Sequence, residues 1–269
     1  MDRREQGARR KSAIVTGASR GIGRAIAERL ARRGYDVLLV ARTSTDLERA
    51  AAELRRRLPA DQIVAACAVD LASTDAAAVI MTALHAHGLR ADVLVNNAGV
   101  GLGGPFIDHD AVDIERLVAV NISAVTRLTH GFAQAMAASG GGSIVNISSL
   151  GAFVPGPNQA LYYASNAYVQ SLSEAIASEL AGQGVHVGVV APGPVRTTIH
   201  ATMGGENALY RWLIPSMSPE SIARSVDWCL RLRRRVVVPG LHNWALSWVL
   251  RVLPHRISVP LVGRLLAPR

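Results

Sequence analysis

Cysteine and lysine are scarce in this 269-residue chain, and each scarcity narrows what it can be. The two cysteines, Cys67 and Cys229, match no metal-ligand or redox spacing. No metal site is therefore expected, and a reducing cytoplasm is the expected setting. Lys11 is the sole lysine, so the net charge of +9 is carried by arginine. Aromatics make up 4% of residues, and no tight basic patch interleaves with them. A nucleic-acid partner is therefore not expected. No apolar run is long and clean enough to span a bilayer. The charged start, Met1 to Lys11, leads into a short apolar run ending in Gly-Ala-Ser, which reads as a strand and not a signal sequence. What remains is 49% hydrophobic and 18% charged, enough to bury a sizeable core. That apolar content is mostly Ala, Val, Leu and Ile, which suits a parallel sheet covered on both faces.

Apolar runs alternate with Ala-rich helical segments. Strands are expected at Ser12–Val15, Asp36–Ala41, Gln62–Val69, Ala91–Asn96, Ser143–Ser148, Val185–Ala191 and Arg235–Pro239. Helices are expected at Ile22–Arg33, Thr45–Leu58, Ser73–His87, Asp113–Ser139 and Leu161–Leu180. This βα alternation predicts an α/β fold of Rossmann type, a doubly wound parallel sheet of about seven strands with helices on both faces. No linker or internal repeat divides the chain, so residues 1–269 read as one domain. Two stretches stand outside the pattern: residues 197–216, read as a substrate lid, and a basic, apolar tail at 242–269.

Thr16-Gly17-Ala18-Ser19-Arg20-Gly21-Ile22-Gly23 follows the first strand and opens the first helix. Glycines let the backbone turn tightly and approach a pyrophosphate, and the helix N-terminus offers free N–H groups to it. An ordinary strand-to-helix turn would use similar residues, so the motif needs its context. Strand two ends in Ala41 and Arg42 where a site for NAD would want a carboxylate against the ribose 2′-hydroxyl. Asp36 sits at the strand's other end. Arg42 can reach a 2′-phosphate, and Arg20 and Arg24 lie where a phosphate would offset their unfavourable position at a helix N-terminus. These residues favour NADPH/NADP over NAD(H).

Asn96-Asn97-Ala98-Gly99, Asn121, Ser149, Tyr162 and Pro192-Gly193 follow in order along the chain. With the glycine-rich turn they resemble the short-chain dehydrogenase/reductase family in its single-domain form, over roughly residues 11 to 200. The tail more loosely resembles a bacterial subgroup with a basic, apolar C-terminal extension. The resemblance implies that Gly17, Ser19, Arg20, Ile22 and Gly23 hold the phosphates, and that Asp70 and Leu71 meet the adenine. It places Asn97 and Gly99 beside the adenosine ribose, and Pro192, Gly193, Val195 and Thr197 against the nicotinamide. Tyr162 is implied as the general acid/base and Ser149 as the group orienting the carbonyl. Asn121 is implied to bend the helix Asp113–Ser139 and hold a water of the proton relay. Thirteen residues separate Ser149 from Tyr162, the family's spacing; Ser148 and Tyr163 fall out of register.

One position departs from the family. Its Tyr-x-x-x-Lys is here Tyr162-Tyr163-Ala164-Ser165-Asn166. Residues four apart share a helix face, so Asn166 points toward the same site as Tyr162. The lysine implied there would hold the nicotinamide ribose and stabilise the tyrosinate; Asn166 can bond the ribose but is neutral. Ketoreductase domains of modular polyketide synthases resemble this chain in carrying Asn at that position, with Lys moved to the place of Asn121, which here is still Asn. Lys11 lies at the opposite edge. Arg196 is the remaining candidate cation.

These readings converge on an NADPH-dependent oxidoreductase that reduces a carbonyl, or oxidises a secondary alcohol, of an apolar small molecule. The apolar character is read from Ile199, Met203, Leu209, Tyr210, Trp212 and Leu213 in the lid, which otherwise pack the lid itself or a subunit interface. A non-catalytic NADP(H)-binding regulator or interaction protein is the alternative raised by Asn166. A homodimer or homotetramer is expected by analogy, through the helices at 113–139 and 161–180. For the tail, Trp244, Leu246, Trp248, Val249 and Leu250 with Arg251, His255 and Arg256 read as an amphipathic surface. It would make a weak contact with the inner membrane surface, cap the substrate pocket, or pack in an oligomer.

Overall fold

The structure, a computed structural model, describes residues 10–197, 203 and 215–267. Seven strands, β1 (Ser12–Thr16), β2 (Asp36–Ala41), β3 (Val64–Ala68), β4 (Val93–Asn96), β5 (Gly142–Ile147), β6 (Val185–Val190) and β7 (Val236–Val237), form one sheet. All pairings are parallel, in the order β3-β2-β1-β4-β5-β6-β7. The order reverses between β1 and β4, so a crevice opens beyond their C-terminal ends.

Alternation along buried strands feeds two separate core layers. Val15 and Leu39 face one layer, which they share with Ile26 and Leu30 of α1 (Gly21–Arg32) and Leu47 of α2 (Ser44–Arg55). Ile14, Leu38 and Val40 face the other, with Ile80 of α3 (Ala76–Ala86) and Phe132 of the long helix that follows β4. The doubly wound Rossmann-type reading of the sequence is therefore the observed fold.

Three local differences have physical causes. The expected helix Asp113–Ser139 is two α-helices, α4 (Ala111–Val118) and α5 (Val125–Ala138), joined by a π-helical turn at Ala119–Ala124. Asn121, where a bend was expected, lies in that π-helical turn. The strand expected from Gln62 begins at Val64, because the Gln62 N–H closes a turn on the Pro59 carbonyl and the Ile63 N–H donates to the Asp36 carboxylate. Unforeseen is α7 (Pro219–Leu232), whose N-terminus is capped by Ser218 accepting from the Ser221 N–H at 3.2 Å. Its Asp227 carboxylate receives Arg29 of α1 and Arg33, the residue just past that helix, at 2.6 and 2.8 Å, clamping the two helices together.

After α6 (Ala160–Glu179) and β6, most of the proposed lid, including Ile199, Leu209, Tyr210, Trp212 and Leu213, lies outside the described residues. The tail forms two helices, α8 (Leu241–Val252) and α9 (His255–Leu266). Leu250, Val262 and Leu266 pack with Leu150 and Val154 in a third, smaller cluster. None of the described helices is long and apolar enough to cross a membrane.

Candidate active site

The crevice is built where β1 and β4 end. Thr16 Oγ1 accepts from the backbone N–H groups of Asn97 and Ala98, each at 3.0 Å. The Asn97 side chain donates back to the Thr16 carbonyl at 2.9 Å. Asn97 thus pins the two strand ends together, and its amide is committed to the glycine-rich turn. Gly17 has φ of +68°, which favours glycine, and a Cβ on Gly23 would lie 2.3 Å from the Gly17 carbonyl oxygen. Only a hydrogen fits there.

The turn delivers α1 with no side-chain cap and no acidic residue in its first turn. Its first N–H groups are left for an anion, together with the positive end of the helix dipole. These features fit a dinucleotide pyrophosphate. Ser19 is partly buried beside Arg20, the residue preceding α1. Thr197 approaches from across the crevice, with its methyl 3.6 Å from a Cβ built on Gly21.

Of the three arginines expected near the 2′-phosphate, Arg24 is withdrawn. It bonds Glu28 at 3.2 Å and also Glu53, so its position near the helix N-terminus is already compensated. Arg20 and Arg42 are exposed and make no ion pair with another described residue. Arg42 lies close enough to Asp70 to depress its carboxyl, though Arg116, bonded at 2.7 Å, is the larger cause. The other Asp70 oxygen accepts from Ala72 N–H at 2.9 Å. Asp70 is held in place by these partners, and Leu71 beside it is buried.

At the other end of the crevice lies a cavity of about 250 Å³. Tyr162, Ser149, Asn121, Asn166, Gly99, Ile22 and the segment Pro192–Val195 all line it. The Tyr162 phenol shares this lining with Ser149 and Asn166, near enough for both to act on its ionisation. Burial pushes its pKa up, and those two polar neighbours pull more weakly the other way. Asn166 donates to the Tyr162 carbonyl at 2.8 Å, and Ser148 caps the Asn166 carbonyl at 3.0 Å. Ser148 therefore serves the helix, consistent with its being out of register. Tyr163 is spent similarly: its ring fills the space over Gly151 and Gly156.

Asn121 bonds both polar groups of the Val100 backbone, at 2.8 and 2.9 Å, and donates to Ser165 Oγ at 3.2 Å. The π-turn presents this amide, where a regular helix would carry it past. Behind the Pro192–Val195 segment, Leu150 N–H bonds the Pro192 carbonyl at 2.7 Å, and Val195 bridges to Met217.

No described residue lining the cavity is charged. Arg196, expected as a candidate cation, is exposed and its charge acts on Glu220. Lys11 lines a separate groove at the opposite sheet edge with Tyr35 and Asp92.

Two contributors were not expected from the sequence. Gln159, 4% exposed, lines the cavity three residues before Tyr162. Asn243 of α8 is fully buried against Gly193. The tail itself divides: Leu246 and Leu250 turn into the cavity, while Trp244, Trp248 and Val249 face outward. Capping the pocket is thus a role the tail has, and the single amphipathic surface expected there is two opposed faces.

Comparison with known proteins agrees with this arrangement. The profile of the family described as short chain dehydrogenase matches residues 11–207. The chain belongs to the short-chain dehydrogenase family. "Probable oxidoreductase EphD" of Mycobacterium tuberculosis is 29% identical over 259 residues, which cover 90% of this chain and 43% of that protein. The chain thus spans less than half the length of that relative. Among solved structures, the short-chain dehydrogenase from Sphingobium yanoikuyae in complex with NADPH superposes with a TM-score of 0.77 at 34% identity, covering 87% of this chain and 91% of that one. The 3-ketoacyl-(acyl-carrier-protein) reductase from Brucella melitensis, complexed with NADH, gives 0.76 at 29% identity, covering 85% and 95%. This short-chain dehydrogenase is accordingly an oxidoreductase by family, and both kinds of dinucleotide occur among its structural relatives.

Proposed function

We propose that the protein binds NADPH in the β1–β4 crevice and reduces the carbonyl of an apolar small molecule, or oxidises the corresponding secondary alcohol. The observation that carries the reading is the convergence of Tyr162, Ser149 and Asn166 in a cavity without a charged wall among the described residues. The bound dinucleotide supplies or accepts hydride at its nicotinamide. The protein's own part is proton transfer and positioning. With its pKa raised by burial, Tyr162 is protonated at neutral pH and can donate to a carbonyl oxygen as charge develops there. Ser149 Oγ, on the rim of the same cavity, hydrogen-bonds that oxygen. Asn166 holds a nicotinamide ribose hydroxyl, and Asn121 anchors the inner end of the proton path through Ser165. Gly17, Ser19, Arg20, Ile22 and Gly23 hold the phosphates, Arg20 and Arg42 favour the 2′-phosphate, and Asp70 and Leu71 border the adenine.

The walls favour an apolar substrate. Leu150, Val154, Leu246 and Leu250 face it, with Gln159 a polar group on the same lining. We place the enzyme in the cytoplasm as a homodimer or homotetramer. Turnover of a panel of aliphatic and aromatic ketones with NADPH tests the activity. We expect apolar ketones to be reduced, and Tyr162→Phe to lower the rate by about a hundredfold or more. Cofactor binding without turnover of any panel member would instead favour a non-catalytic role.

A further inference from the structure

The two tail helices carry apolar side chains on their outer faces as well as their inner ones. On α8 the face turned into the protein carries Asn243 and Ser247 beside Leu250. Its solvent face carries Leu241, Trp244, Trp248, Val249 and Val252, each at least half exposed. On α9, Ser258, Val262 and Leu266 are buried while Ile257 and Leu261 stand out. A surface helix of a globular protein normally keeps its solvent face polar. The outward stripes of both helices therefore await a cover.

The charge around them says which kind. No acidic residue follows Asp227, whereas eight arginines do, Arg251, Arg256 and Arg264 among them on these helices. Arg251 lies over the rings of Phe153 and Trp248, at 4.4 and 5.6 Å, so a cation is embedded in the apolar patch itself. Two-fold pairing of this face with a second copy would oppose arginine to arginine with no carboxylate from either tail to relieve it. A surface that is apolar beneath and anionic above meets both demands, and indole rings settle well at such a boundary.

We propose that α8 and α9 dock this enzyme on an anionic lipid bilayer, with Trp244, Trp248, Val252, Ile257 and Leu261 entering the headgroup region and the tail arginines meeting lipid phosphates. Leu261 is 49% exposed and also lines the catalytic cavity, so the docking face adjoins the substrate chamber. If the reductase reading holds, an apolar ketone dissolved in the lipid has a short path to Tyr162; docking itself does not depend on that reading.

Co-sedimentation of the full chain with vesicles of phosphatidylcholine, with and without phosphatidylglycerol, tests the proposal. We expect binding to phosphatidylglycerol-containing vesicles at low salt, weakened by about tenfold or more in high salt or on pure phosphatidylcholine. Trp244→Ser/Trp248→Ser should reduce partitioning by a similar factor, and Arg256→Glu should weaken it, with melting temperature, NADPH affinity and turnover in solution unchanged. Wild-type protein that stays in the supernatant with anionic vesicles overturns the proposal. Equal partitioning of wild type and the tryptophan variant overturns it as well. If the tryptophan variant instead changes the oligomeric state by light scattering and leaves partitioning untouched, the cover is a second copy and the membrane is excluded.

Discussion

Asn243 stands where a side chain at position 193 would begin: a Cβ built on Gly193 falls 2.4 Å from Asn243 Oδ1. Asn243 cannot easily retreat, since its Nδ2 donates to the Pro239 carbonyl at 2.8 Å and the residue is wholly buried. Through this contact the tail sets the position of the Pro192–Val195 segment against the cavity. Gly193→Ala should push that segment forward, at an overpacking cost of about 1–3 kcal/mol. We expect a lower melting temperature and NADPH affinity down by about tenfold, measured by fluorescence titration. Combining it with Asn243→Ala should cost less than the sum of the two single changes, because the second opens the space the first needs. Simple additivity would show that the contact does not couple tail and segment.

Cofactor choice is expected to rest on Arg42 and Arg20, the two cations left without an ion pair after Arg24 is taken by Glu53 and Glu28. NADPH should bind about tenfold or more tightly than NADH, on the order of 1.4 kcal/mol. Arg42→Ala should abolish most of that preference while leaving NADH affinity near the wild-type value. Equal affinities of the wild type for the two cofactors would sink the assignment.

A tyrosine with no charged neighbour among the described lining residues predicts an asymmetric enzyme. Burial holds the Tyr162 pKa above its ordinary value of 10.0, so the phenol is protonated throughout the neutral range. Reduction, which needs the acid, should be nearly independent of pH there. Alcohol oxidation, which needs the phenolate, should keep rising as pH climbs toward and past 10. Asn166→Lys places a positive charge one helical turn away, which lowers the phenol pKa. It should raise oxidation more than reduction and shift the oxidation profile to lower pH. Turnover in both directions across pH measures this; a wild type already fast in oxidation at neutral pH, and unimproved by lysine, would mean another group supplies the base.

A separate pH effect belongs to β6. His186 is 6% exposed, its Nε2 pairs with the Arg234 carbonyl at 3.2 Å, and its Nδ1 is buried without a described partner. Burial pushes its pKa below the ordinary 6.5. The unfolded chain therefore takes up a proton below about pH 6.5 that the folded chain refuses, and stability falls as pH drops from there through the folded-state value. Thermal unfolding at pH 7.5 and 5 should show a loss for the wild type that is smaller in His186→Gln. An equal loss in both would assign the acid sensitivity elsewhere.

The sequence by itself determined whatever follows from local pattern. The strand runs and their turns specified a doubly wound sheet, because parallel strands with helical crossovers admit few arrangements. The glycine-rich turn at 16–23 and the thirteen-residue interval from Ser149 to Tyr162 located both ends of the crevice. An irregularity at Asn121 was legible too, though not that it is a π-turn. The rest depended on which distant groups meet. Arg24 and Arg42 look alike in sequence, and only the approach of Glu53 from α2 and of Glu28 gives Arg24 its ion pairs. Arg196 sits beside the active-site segment along the chain but is exposed and does not line the cavity. Asn243 and Gly193 are fifty residues apart and share one small volume. The tail is the clearest case. Its composition announces an apolar, basic segment, yet composition is indifferent to direction. Docking against Leu150 and Val154 turned Leu246 and Leu250 inward and left Trp244 and Trp248 outside, because a helix packed on one side can bury only one of its faces.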